Sequence, residues 1–204
     1  MSFTFSLQGC ISVMMKAYLP IILICSLLVA FRIAECLVGG FPVNCAPIVG
    51  LFVCSFFLHR WKGLLIAFSF WALCYPVLSW LQGSEYVFDG LLSSIVGLLA
   101  VAGSTFGLRT KFGNKSSIIL TSLIGAIAFY FVTNCVSWLG MPIYEKNLSG
   151  FIQAQWLGHP SFPLPTWVFL KNSLIGNGVF VGLIVLSFSK WESKALLSAD
   201  SSVC

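Results

Sequence analysis

Few side chains in this 204-residue chain could do chemistry, and those few stand inside or beside apolar runs. Six carry the argument: Arg32, Asn44, Asn134, Trp138, Lys171 and Asn172. They supply two cations, three side-chain amides and an indole, a set suited to holding a molecule with an acidic group rather than to breaking its bonds. Arg32 is the most expensive of them, because a charged group in a bilayer costs several kcal/mol unless it snorkels or is paired. Glu35, three residues on, shares its helical face and can be that partner. Arg32 therefore either snorkels at the outer end of its run or faces a cavity that takes an anionic ligand.

The amides leave similar pairs of alternatives. Asn44 lies in Phe41-Pro-Val-Asn-Cys-Ala-Pro47-Ile-Val-Gly50, where prolines suit a helix start. It serves either as a simple N-cap or as part of an anion seat on free helix N–H groups. Thr133, Asn134 and Trp138 share a face of one run, and Asn134 either bridges helices or meets a ligand. Lys171-Asn172-Ser173 and Gly176-Asn177-Gly178 form a dense polar cluster at the opening of another run, where the glycines allow tight helix packing.

Several classes of chemistry are missing from the chain. No HExxH, Ser and His pair or paired carboxylates occur in an apolar run, and His59 and His159 both fall in connections, so no enzyme is expected. The eight cysteines make no CxxC, and no metal or cofactor is expected; a Cys36–Cys45 disulfide is conceivable only on an oxidising face. No GxxxxGK loop is present, so any ATP hydrolysis must come from partners. The net charge of +5 comes in small groups between apolar runs, which excludes a nucleic-acid stripe.

The elements that must position these residues follow from composition. Hydrophobic residues make up 58% of the chain and charged ones 8%, too little charge to solvate a globular surface. An all-α integral membrane bundle of six transmembrane helices is predicted, each needing about 20 residues to cross. Residues 1–189 form one transmembrane domain, with helices at about 17–38, 44–58, 63–81, 90–108, 116–139 and 166–189; residues 190–204 form a polar cytoplasmic tail. Pro76 is placed to kink the third helix. The first run is longer than a signal core and is expected to be retained. Segment 140–165 is expected to be a long connection rich in Pro, Gly and Trp.

Orientation follows from Lys and Arg in the short connections. Arg60 and Lys62, then Arg109, Lys111 and Lys115, then Lys190 and Lys194 fall on one side if there are six crossings, so both termini are predicted cytoplasmic. Trp61, Trp80, Trp138, Trp156 and Trp167 lie near run ends or in segment 140–165, as an interfacial belt or as plain packing.

Taken in order, Arg32, Pro42, Asn44, Pro47-Ile-Val-Gly50, Val132-Thr-Asn134, Trp138, Tyr144, Gly150 and Leu170-Lys171-Asn172-Ser173-Leu-Ile-Gly176 resemble an uncharacterised prokaryotic family of small six-helix membrane proteins described as transport proteins. That family is similar in size and helix count to the S components of energy-coupling factor transporters. This chain departs from the family pattern at Asn177, where an acid is usual, and at Cys74-Tyr75, where Ser-Asp is usual. The resemblance implies a multi-pass protein of a prokaryotic plasma or inner membrane. It implies a subunit that captures a vitamin-like molecule or organic anion from the outer face, with a transmembrane scaffold and ATPase subunits as partners. Arg32, Asn44, Asn134, Trp138, Lys171 and Asn172 would then line the site, with segment 140–165 as its lid. The alternative is a structural or assembly membrane subunit with no small-molecule ligand.

Overall fold

The computed structural model describes residues 25, 26, 28, 29, 48–81, 90–109, 115–158, 160 and 164–200, and the regular structure among them is all helical. Residues 25, 26, 28 and 29 belong to a helical stretch. After it come α1 (Ile48–Leu81), α2 (Leu91–Arg109), α3 (Lys115–Gly140), α4 (Leu148–Trp156) and α5 (Thr166–Asp200). Arg32 and Asn44, residues 17–24, 27 and 30–38 of the first expected helix, and the Cys36–Cys45 pair lie outside the described residues.

Where the sequence suggests two helices separated by residues 59–62, α1 runs unbroken from Ile48 to Leu81. The chain nevertheless turns there. Arg60 adopts the left-handed conformation at φ 52°. A Cβ on Gly63 would overlap the carbonyl of Ser55, eight residues back and about 12 Å away in a straight helix. One left-handed residue thus does the work of a loop, and the glycine removes the side chain that would block the fold-back. The Trp61 ring lies 5.9 Å from that of Phe106, which puts this corner at the same end of the bundle as the α2 C-terminus.

The first segment of α1 is buried on every side: Val49, Leu51, Phe52, Val53 and Phe56 are all essentially inaccessible. A helix apolar all round belongs in an interior. Around it, Leu64, Ala67, Trp71, Leu98, Val101 and Ala126 complete the core.

α2, α3 and α5 contrast with it. Each is long and apolar enough to cross a membrane, over Leu91–Leu108, Ser117–Gly140 and Thr166–Ser187, yet only 22%, 22% and 17% of these spans is buried inside the protein. The exposed remainder includes Leu92, Leu99 and Phe106 on α2 and Ile175, Val179, Leu183 and Leu186 on α5, spaced by three, four or seven residues into stripes. Water penalises such stripes and lipid does not, so these three helices are built for a bilayer. Some of their hydroxyls are tied internally: Thr105 Oγ1 donates to Val101 C=O at 2.7 Å and Ser187 Oγ to Leu183 C=O at 2.8 Å.

α5 continues eleven residues beyond the end expected at 189, through the stretch expected to be a polar tail, to Asp200. α4 lies inside the segment expected to be a long connection, where no helix was foreseen. Its start is set by Asn147, whose side chain accepts from Gly150 N–H at 2.9 Å. α3 is the hub of the bundle, packing against α1, α2, α4 and α5.

Candidate functional site

α3 carries Tyr130, Asn134, Cys135 and Trp138 on one side, and α4 lies across that side. The clasp is made of polar and aromatic contacts together. The Tyr130 hydroxyl donates to the Gln155 carbonyl. Gln155 Nε2 reaches Phe131 C=O at 3.4 Å and Cys135 Sγ at 3.6 Å. The Phe151 ring meets Phe131 at 5.9 Å and Trp138 at 5.4 Å, both edge to face.

The turn from α3 into α4 is held by side chains that cap backbone carbonyls. Trp138 Nε1 donates to Glu145 C=O at 2.9 Å. Lys146 Nζ donates to Trp138 C=O and, at 2.8 Å, to Met141 C=O, so a cation satisfies the carbonyls left over at the α3 C-terminus. Asn147 Nδ2 donates to Glu145 Oε2 at 2.8 Å. Tyr144 is buried in this turn, and burial raises its phenol above the ordinary value.

Beneath α4 the polar accounting does not close. Tyr130 and Cys135 both reach Gln155, and around α3 the position of Asn134 falls between theirs. Asn134 Nδ2 and Gln155 Oε1 are both shielded from solvent, and neither finds a hydrogen-bond partner among the described residues. The first is a donor and the second an acceptor. Ser122 Oγ and Thr166 Oγ1 are also unpaired, but as hydroxyls they turn to whatever acceptor relaxation offers.

A second polar contact, between α1 and α5, is fully satisfied. Asn177, buried completely, accepts from Gly50 N–H through Oδ1 at 2.6 Å, while its Nδ2 donates to Ser173 C=O at 2.7 Å and Ser173 Oγ at 3.1 Å. Gly50 is the third residue of α1, and among the described residues its N–H has no partner within the helix. A side chain from another helix therefore caps α1. The contact is tight, since a Cβ on Gly50 would lie 2.9 Å from Val181 Cγ2 and 3.2 Å from Asn177 Oδ1. Of the two glycines expected to allow close approach, Gly176 and Gly178, a Cβ on Gly178 would lie 3.7 Å from Leu123, an ordinary contact among the described residues. The helix start read as an anion seat has its Gly50 N–H already engaged.

The expected site residues divide among these features. Asn134 and Trp138 stand together on α3, the first half-buried and unpaired at Nδ2, the second bonded to the turn. Lys171 is exposed, with its ammonium 5.7 Å above the Trp167 ring, a cation–π contact four residues back on its own helix. Asn172 is buried and partnered. The α3 pair and Lys171 thus make their contacts with different elements.

Sequence reasoning missed Tyr130, Gln155 and Lys146, because a nine-residue helix between two long ones leaves no periodic run to notice. The available signal was Asn147 followed by Leu148-Ser-Gly-Phe151, an N-cap ahead of an amphipathic turn. Among the described residues, no group of three His, Cys, Asp or Glu could hold a metal, and Cys25, Cys54, Cys74 and Cys135 are free.

No curated protein and no solved structure matches the chain. A family defined only as one of unknown function, DUF6580, matches residues 13–198, nearly the whole length, and the chain belongs to that family.

Proposed function

We propose that this protein is the substrate-binding membrane subunit of a small-molecule uptake transporter, taking a vitamin-like molecule or organic anion from the outer face of a prokaryotic plasma or inner membrane. The reading takes the chain as an S-component-like bundle of six membrane-crossing helices with both termini cytoplasmic. It performs no catalysis, and a transmembrane scaffold with ATPase subunits supplies the energy.

The observation that carries the reading is the unpaired donor and acceptor under α4, Asn134 Nδ2 and Gln155 Oε1. Each orphaned buried group costs about 1–3 kcal/mol. A fold that retains both, beside the rings of Trp138 and Phe151, holds hydrogen-bonding capacity that a guest can use. α4 and its flanking turns act as the lid, clasped when empty and opened for entry. The exposed Lys171 ammonium, and Arg32 by its place in the sequence, attract an acidic group on the ligand.

Binding of a panel of vitamins and organic acids to the purified protein tests this, with Arg32→Ala, Lys171→Ala and Asn134→Leu alongside. At least one panel member should bind, and the substitutions should weaken it tenfold or more. Unchanged affinity in both cation variants removes the cations from the site.

A second reading, a structural or assembly subunit without a small-molecule ligand, is favoured by the Asn177–Gly50 contact, where buried polar groups serve only to join helices. It expects a partner protein's side chains to pair with Asn134 and Gln155, and no saturable binding of any small molecule.

A further inference from the structure

The outer surface of α4 does not fit a lid that faces water. Successive residues step by about 100° around the helix, which sorts its side chains into three sectors. Gly150, Phe151, Ala154 and Gln155 turn toward the bundle and are buried or half-buried. Ser149 and Gln153 occupy a narrow polar sector. Leu148, Ile152 and Trp156, spaced by four, form an apolar stripe that is 73%, 49% and 57% exposed.

That stripe adjoins further exposed apolar residues on the helices long and apolar enough to cross a membrane and on the turn between them. α3 ends in exposed Leu139, the chain leaves it through exposed Met141 and Ile143, and α5 begins with exposed Trp167. All of these lie at the end of the bundle where α4 joins two membrane-crossing helices. A short helix with an apolar stripe, a polar stripe and an indole at the stripe's end has the chemistry of the acyl–headgroup boundary, where an indole places its ring in hydrocarbon and its N–H toward water.

We propose that α4 lies in the membrane interface, with Leu148, Ile152 and Trp156 seated in the lipid at the acyl–headgroup boundary. Lipid, rather than a protein partner or open water, is the occupant of this surface. Lys146, which ties the turn to the α3 C-terminus, then stands beside the headgroups at the near end of α4.

The test uses the full chain in bilayer nanodiscs. Tryptophan emission is quenched with lipids brominated at shallow or deep acyl positions, and with aqueous iodide. The Trp156 contribution is obtained by difference from Trp156→Phe, a substitution that keeps the aromatic body at an exposed site. Shallow bromine should quench that contribution at least twofold more strongly than deep bromine, and iodide should quench it least. Ile152→Asp should reverse the order in favour of iodide. Stronger quenching by deep bromine would sink α4 into the hydrocarbon, dominance of iodide in the unaltered chain would leave it in water, and no quenching by any agent would mean protein covers it; each result overturns the proposal. A protein that binds no small molecule would still give the expected pattern, so this inference and the uptake reading fail separately.

Discussion

Two polar contacts in this bundle look alike in composition and differ in completeness. Between α1 and α5, Asn177 uses its oxygen on Gly50 N–H and its nitrogen on Ser173, and nothing is left over. Between α3 and α4, Gln155 uses only its nitrogen, Asn134 Nδ2 has no partner, and an acceptor and a donor remain in the dark. The difference separates two uses of a buried amide. In apolar surroundings, a satisfied amide fixes how two helices sit, and an unsatisfied one destabilises the fold until something fills it. Asn177 is therefore scaffold, while Asn134 and Gln155 are the better candidates for recognition.

Substitutions should have effects of different size and sign at the two contacts. The largest is expected from Asn177→Leu, which strands Gly50 N–H in a dry interior and should cost about 1–3 kcal/mol, read as an earlier thermal transition in detergent. An unchanged transition would mean that the α1 start finds another cap. Next, Trp138→Phe deletes the bond to Glu145 but keeps the ring against Phe151, and should cost about 0.5–1.5 kcal/mol. Its expected local signature is faster amide exchange in residues 141–156 than elsewhere.

Asn134→Leu should leave stability within about 1 kcal/mol of native, on the stabilising side, because it removes an orphan rather than a bond. The same variant should lose ligand binding. Clear destabilisation by Asn134→Leu would erase the contrast with Asn177. The smallest effect concerns Tyr144 in the α3–α4 turn. Its raised folded pKa favours the neutral phenol, so its contribution is complete below the unfolded value near 10. It fades as pH climbs through the folded value, and Tyr144→Phe should abolish this alkaline loss while leaving the melting temperature at pH 7 in place.

Much of the frame was legible without coordinates, for reasons that can be located. The runs at 90–108 and 116–139 stand beside α2 at Leu91–Arg109 and α3 at Lys115–Gly140, because long apolar stretches bounded by charge leave little freedom. The corner at Arg60 was legible only in part. His59-Arg60-Trp61-Lys62 announces polarity, but nothing in it says that one left-handed residue and Gly63 would turn the chain without a loop. α4 was not legible, since nine residues give too few turns for a period to register. Asn134 and Trp138 were singled out for sharing a face of α3, which is a local property; Gln155, their neighbour from another element, is not visible from α3 at all.

The sequence alone determined where the long apolar segments run and how few groups in them could do chemistry, since hydropathy and residue type are carried one position at a time. Only the tertiary structure decided which amide is saturated and which is not. Asn134 and Asn177 are the same residue in similar apolar company; Asn177 Nδ2 finds Ser173 on its own helix, but its Oδ1 is satisfied only because a distant part of the chain brings Gly50 N–H to 2.6 Å, and Asn134 Nδ2 meets no such partner among the described residues. Hydrogen bonding is short-ranged and directional, so its completeness is a property of packed helices rather than of the order of residues along any one of them.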